Sequence, residues 1–251
     1  MPFESYLSDL ERGFTGWDFG YLTKTSRMQE FPLPWNYYNA VLPYVRETDS
    51  LLDMGTGGGE LLSTLAPFPK IAYATEAYEP NVPVAKRRLE PYGVEVVRVG
   101  LDDLLPFEDN SFQTIINRHE SYLPSELLRI LKPGGRFITQ QVGGFNDREF
   151  NEILGAPPSE YFDWNLERAV SGLSGAGLAV DYSDEIVTAA RFYDLGAVLY
   201  YLKAIEWQVK DFTVDRYRGE LEEIYRRIEA DGYFEATCHR FIVSASKQRP
   251  R

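Results

Sequence analysis

Apolar and polar positions along the chain switch repeatedly between the period of a strand and that of a helix. The run Ser50 to Met54 stops at Gly55, Gly57, Gly58 and Gly59, and Glu60 to Leu65 then resumes with helical spacing. That pattern predicts a buried strand, a tight turn and a helix whose N-terminus faces whatever lies beyond the strand end. Further buried strands are predicted at 71–76, closing on Glu76, and at 94–99, 113–117 and 136–142. Pro80 to Leu89 reads as a helix opened by prolines, and Pro124 to Leu131 as a short helix stopped by Lys132-Pro133-Gly134-Gly135. Strand and helix alternate at the spacing of parallel crossovers, so the expected fold is an α/β sheet covered on both faces.

The flanks are less regular. Residues 1–33 carry scattered aromatics (Phe14, Trp17, Phe19, Tyr21, Phe31) without a sustained period, as expected for an accessory segment or lid. Trp35 to Val45 predicts a helix ahead of the first strand. Beyond 142, helices are predicted at 166–176, 194–207 and 214–230, with a strand running from 177 toward 188 and a closing strand at 239–246. No repeat or low-complexity linker interrupts the pattern, so one domain is expected over 1–251, with 34–142 as its core and 143–251 as a C-terminal half.

Composition narrows the partners. Hydrophobic residues at 44% and aromatics at 14% suffice for a packed core. A formal charge of −12 disfavours a phosphate-tracking surface, and the one basic cluster, Lys86-Arg87-Arg88, reads as the exposed last turns of a helix. With no charged-then-apolar leader and no long apolar window, a cytoplasmic chain with no membrane partner is expected. A single cysteine, Cys238, leaves no internal disulfide, and with two distant histidines no metal site is expected.

The chemistry gathers at the glycine turn. Gly55-Thr56-Gly57-Gly58-Gly59-Glu60 lacks the last glycine of the dinucleotide pattern G-x-G-x-x-G, and fits acid-x-Gly-x-Gly-x-Gly with Asp53 leading. Glu76 ends the second strand, where a carboxylate accepts both hydroxyls of a ribose. Leu105-Pro106-Phe107 with Ser111-Phe112 precedes the fourth strand, and Leu131-Lys132-Pro133-Gly134-Gly135 precedes the fifth.

Together these four motifs resemble the class I S-adenosylmethionine-dependent methyltransferases, in particular their broad small-molecule, type 11-like group. The resemblance is close over 50–142 and general outside it. It implies a Rossmann-like seven-stranded sheet in the order 3-2-1-4-5-7-6, strand seven antiparallel, with the cofactor across the carboxyl ends of the strands. It further implies that Gly55, Thr56, Gly57 and Gly59 approach the methionine and ribose, and that Asp53 orients the turn or the cofactor's amino group. Glu76 would then hold the ribose, and Ala77 would lie against the adenine. The family's adenine-facing acid falls on Leu101, leaving two routes: Asp102 takes the role through a shifted turn, or backbone N–H groups do.

Acceptor chemistry is expected at the exit of the fourth strand, in the polar string Asn117-Arg118-His119-Glu120-Ser121-Tyr122. Two readings stand side by side. In one, His119 is a general base oriented by Glu120, which matters only for an acceptor that starts protonated. In the other, Asn117 and Arg118 bond the cofactor or its loop, and His119 packs over it. Gln140 and Gln141 either orient a substrate or cap a strand end. Tyr193, Tyr200, Tyr201 and Trp207 form either core or, with Trp17 and Trp35, an aromatic cage. The resemblance implies methyl transfer from S-adenosylmethionine to a small-molecule acceptor, leaving S-adenosylhomocysteine. The alternatives are an idle cofactor-binding sensor or scaffold, an RNA methyltransferase, and a nicotinamide-dependent oxidoreductase. Acceptor and oligomeric state stay open.

Overall fold

The computed structural model describes residues 2–14, 18–100 and 104–249. Its strands are β1 (Met28–Glu30), β2 (Ser50–Met54), β3 (Ile71–Glu76), β4 (Glu95–Arg98), β5 (Phe112–Arg118), β6 (Leu131–Val142), β7 (Ala179–Phe192) and β8 (Phe234–Ser246). The helices α1 (Gly20–Thr23), α2 (Tyr37–Glu47), α3 (Glu60–Thr64), α4 (Val82–Leu89) and α5 (Pro124–Ile130) are interleaved with the first six strands. The C-terminal part adds α6 (Arg148–Ile153), α7 (Leu166–Gly175), α8 (Leu195–Ala204) and α9 (Arg218–Asp231). None of the described helices is long and apolar enough to cross a membrane.

The strands hydrogen-bond in the order β1-β7-β8-β6-β5-β2-β3-β4. From β4 to β7 this is the expected 3-2-1-4-5-7-6 arrangement. The pairs β2–β3, β2–β5, β3–β4 and β5–β6 are parallel. Gly134 N–H donates to Lys247 O and Gly143 N–H to His239 O, so β8 runs opposite to β6. The expected count of seven strands is corrected to eight: β1 pairs antiparallel with the end of β7. Three residues are too few for a period-2 signal to separate a strand from a loop.

The KPGG stretch is also corrected. It lies within β6 rather than between helix and strand, and the β5–β6 register shifts between Phe112 and Thr114. Gly134 takes φ +80°, and a Cβ on Gly135 would stand 2.8 Å from Lys132 O. Glycine therefore carries the chain through the irregularity without ending the strand.

The chain divides into two compact units. One comprises 34–142, 165–185 and 241–251, and its core packs Val41 and Val45 of α2, Leu51 of β2, Ala74 of β3, Leu89 of α4 and Ile116 of β5. β2 is buried along its whole length, which explains why its sequence has no polar face. The other comprises 1–33, 143–164 and 186–240. The described part of 1–33 is mostly structured there: a 3₁₀ helix, Phe3–Glu11, is joined to the unit through Arg27, which pairs with Asp9 at 3.0 Å and with Asp194, the N-cap of α8, at 2.5 Å.

The core of that second unit holds Phe150, Phe192, Tyr201 and Phe234, with Tyr200 and Tyr201 both buried in it. Tyr201 donates to Asp147 at 2.9 Å. Burial pushes the Asp147 carboxyl up to about 7, against the opposing pull of that hydroxyl. Both tyrosines are thus core side chains. Trp17, another of the aromatics proposed with them for a cage, lies outside the described residues.

Candidate functional site

β2 lies between β3 and β5, where the strand order reverses, so the loops leaving β2 and β5 diverge and open a crevice at their carboxyl ends. The turn after β2 is built from bare backbone. Gly55, Gly57 and Gly59 have φ of +66°, +61° and +79°, a region that costs an ordinary residue about 1–2 kcal/mol. Gly59 caps α3. Thr56 N–H donates to Thr75 O at 2.9 Å, anchoring the turn to the neighbouring strand.

Glu76 holds the same turn from the end of β3. One carboxylate oxygen accepts from Gly57 N–H at 2.7 Å and the other from Tyr78 N–H at 2.8 Å. The side chain is 4% exposed, and burial raises its pKa against those two backbone donors. Ala77 N–H is a further backbone donor to this carboxylate, which still keeps lone-pair capacity for another donor. Asp53, one strand over, is wholly enclosed. Burial pushes its carboxyl up to about 7; the Thr56 hydroxyl opposes this and the Glu76 charge adds to it. Thr56 Oγ1 makes no hydrogen bond of regular geometry, though it lies near enough to Asp53 to favour the ionised form.

Arg88, from the last turn of α4, reaches back to Gly58 O and the Glu60 carboxylate. The basic cluster is therefore only partly a solvated face: one of its three members braces the turn. Because its side chain stays 37% exposed, Arg88→Ala is expected to cost at most about 1 kcal/mol of stability, read by urea unfolding.

The exit of β5 supplies the polar string. Asn117 pairs with Met54 in the parallel register, next to the glycine turn, and is fully buried. Its Oδ1 accepts from Thr139 Oγ1 at 2.8 Å and Gln141 Nε2 at 2.7 Å, and its backbone O accepts from Tyr37 OH at 2.9 Å. Its Nδ2 has no partner among the described residues. Arg118 is exposed and opposite Gln140 in the β5–β6 register. His119 takes φ +65° and is exposed, its ring nitrogen Nε2 lying 3.1 Å from Gln140 Nε2. Glu120 lies against the turn: a Cβ on Gly55 would stand 2.5 Å from Glu120 Cβ. Together with Gly55, Thr75, Ala77, Val99 and Tyr122, Glu120 lines a cavity of about 60 Å³. Asp102 lies outside the described residues.

The structure thus brings Asp53, Gly55, Thr56, Gly57, Gly59, Glu76, Ala77, Asn117 and Glu120 to one crevice of one unit. Sequence reasoning missed two contributors, Tyr37 and Arg88, and named a third, Trp35, only for an aromatic cage. Tyr37 and Trp35 sit on or before α2, far along the chain from their partners, and Arg88 was hidden in a charge run. For none of them did spacing carry a signal.

Residues 52–139 match the family described as the methyltransferase domain. Over that stretch, about a third of the chain, the protein is similar to a methyltransferase domain. Two curated proteins illustrate the likeness. A protein-L-isoaspartate O-methyltransferase from Nitrosospira multiformis is 31% identical over 101 residues, covering 38% of this chain and 41% of that protein. The uncharacterized methyltransferase YcgJ from Bacillus subtilis is 32% identical over 102 residues, covering 37% and 40%. The aligned stretch is therefore about two-fifths of each of those proteins. A crystal structure of YcgJ superposes with a TM-score of 0.58 at 17% identity, covering 85% of this chain and 98% of that one, a likeness of fold.

The methyltransferase family implies S-adenosylmethionine as cofactor. The residues present fit such a molecule: positive-φ backbone for close approach, a buried carboxylate at the end of β3 for hydroxyls, and the unpaired Asn117 amide for an acceptor atom.

Proposed function

We propose that the protein transfers the methyl group of S-adenosylmethionine to a small-molecule acceptor. The observation that carries this reading is the buried Glu76 carboxylate bonded to the positive-φ glycine turn, with the unpaired Asn117 amide at the adjacent strand end. When bound, the cofactor supplies an activated methyl on a sulfonium, with a neutral thioether as leaving group. The chain's own part is to align and enclose. Gly55, Thr56, Gly57 and Gly59 would hold the amino-acid part, Glu76 the ribose hydroxyls, Ala77 the base, and Asn117 with Arg118 the loop above. Such alignment is worth roughly 7–11 kcal/mol in favourable systems. The formal charge of −12 supports a small acceptor over bulk RNA.

One observation favours the second reading, an idle binding protein: Glu120 leaves the cavity only about 60 Å³. Calorimetric titration tests the cofactor binding that both readings require, and transfer of labelled methyl to a metabolite extract, expected of the enzyme and absent from an idle binder, separates them. S-adenosylmethionine and S-adenosylhomocysteine are expected to bind the wild type, while NAD gives no heat. Binding that requires Glu120→Ala points to a plugged site, and no binding by either form removes the proposal.

A further inference from the structure

Gln140 holds His119 through both its backbone and its ring. The His119 N–H donates to Gln140 O at 2.9 Å, and His119 Nε2 lies 3.1 Å from Gln140 Nε2. The positive φ of His119, a conformation uncommon outside glycine, accompanies this double attachment. At the other end of the same amide, Gln140 Oε1 accepts from Trp35 Nε1–H at 2.9 Å. Gln140 itself is 3% exposed on β6.

The donor and acceptor roles along this chain follow from the chemistry of its ends. An indole nitrogen only donates, so the Gln140 atom facing Trp35 is the carbonyl oxygen. The atom facing His119 is then the amide nitrogen, which also only donates. His119 Nε2 is left as the acceptor, bare of hydrogen, and a neutral imidazole with a bare Nε2 carries its proton on Nδ1.

We propose that Trp35 and Gln140 are positioning residues that hold His119 as the Nδ1–H tautomer, so that it meets the methyl acceptor as a hydrogen-bond donor and takes no proton at Nε2. The tautomer stands on this geometry alone; its use toward an acceptor rests on the methyltransferase reading. On that reading, the matching acceptor class presents an anionic or carbonyl oxygen to the N–H. It also arrives with its reacting lone pair already free, since Nε2 is not available as a base.

The test is a long-range ¹H–¹⁵N correlation spectrum of the labelled full-length chain, without ligand, at mildly alkaline pH. The sequence has two histidines, and the spectrum of His119→Asn assigns the pair. In the wild type, His119 Nε2 is expected at the unprotonated, pyridine-like position and Nδ1 at the protonated one. Gln140→Glu keeps an acceptor for Trp35 but removes the amide donor, and is expected to move a proton onto Nε2. Trp35→Phe frees the amide to turn and is expected to give mixed tautomers. A wild-type ring protonated on Nε2 overturns the proposal, as does a tautomer unaltered in Gln140→Glu. These spectra need neither cofactor nor acceptor, so their outcome is separate from the titration that tests cofactor binding.

Discussion

Glu76→Gln is expected to weaken S-adenosylmethionine binding by about 1–3 kcal/mol, roughly 5- to 150-fold in dissociation constant, while shifting folding stability by less than about 1 kcal/mol. The two quantities separate because the carboxylate has two functions. Toward the fold, it accepts from Gly57 and Tyr78 N–H groups. Glutamine keeps one acceptor and turns its amide nitrogen on the other donor, which costs stability. Yet burial already raises the Glu76 pKa, so the ionised form is less comfortable in the fold than in water, and a neutral isostere relieves that penalty. The terms oppose each other. Toward a ribose, no such relief exists: the hydroxyls lose a charged acceptor. Glu79→Gln is the control, since that side chain is 72% exposed and pairs with exposed Arg98. Calorimetric titration with parallel urea unfolding reads both effects. Equal affinities for Glu76→Gln and wild type would take Glu76 out of the ribose site.

How far the sequence discloses this arrangement depends on how local each signal is. β2 was legible because five consecutive buried residues end abruptly at glycines. The order of the parallel strands was legible through the family pattern, whereas the long strands β7 and β8 were read only in part, as 177–188 and 239–246, because polar residues interrupt β7 and β8 begins at Phe234. β1 was not, being three residues whose role depends on the distant end of β7. Within the site, Asp53 and Glu76 announce themselves as acids at strand ends. The Trp35–Gln140–His119 chain does not, because Trp35 and Gln140 lie 105 positions apart and meet only once β5 and β6 are paired. Arg88 shows a further limit: a charge run read as solvated can send one stem back to brace a loop.

Asp53→Asn is expected to stabilise the ligand-free protein increasingly as pH rises from about 4 to about 7, by up to about 4 kcal/mol at the top of that range. The folded-state pKa of Asp53 is pushed up to about 7, chiefly by burial with the Glu76 charge adding to it. An unfolded aspartate titrates near 3.9. Between those values the folded chain holds a proton that the unfolded chain has released, so rising pH favours unfolding at about 1.4 kcal/mol per unit, and the loss levels off above the folded pKa. Asparagine has no proton to lose and lacks this slope. Asp147, also pushed up to about 7, adds a parallel slope in both proteins, which cancels in the comparison. Urea midpoints for wild type and Asp53→Asn across this range give the difference directly, and parallel curves would place the ionised Asp53 in a far more polar setting than its burial indicates. The same carboxylate links stability to ligand. A cationic cofactor beside Asp53 favours its ionised form, so S-adenosylmethionine binding is expected to release a fraction of a proton, at most about half at pH 7 and about nine-tenths at pH 6, that Asp53→Asn does not release. Calorimetry in two buffers of different ionisation enthalpy measures that release. The stability that the buried acid withholds from the empty site is then recovered when the positive ligand enters it.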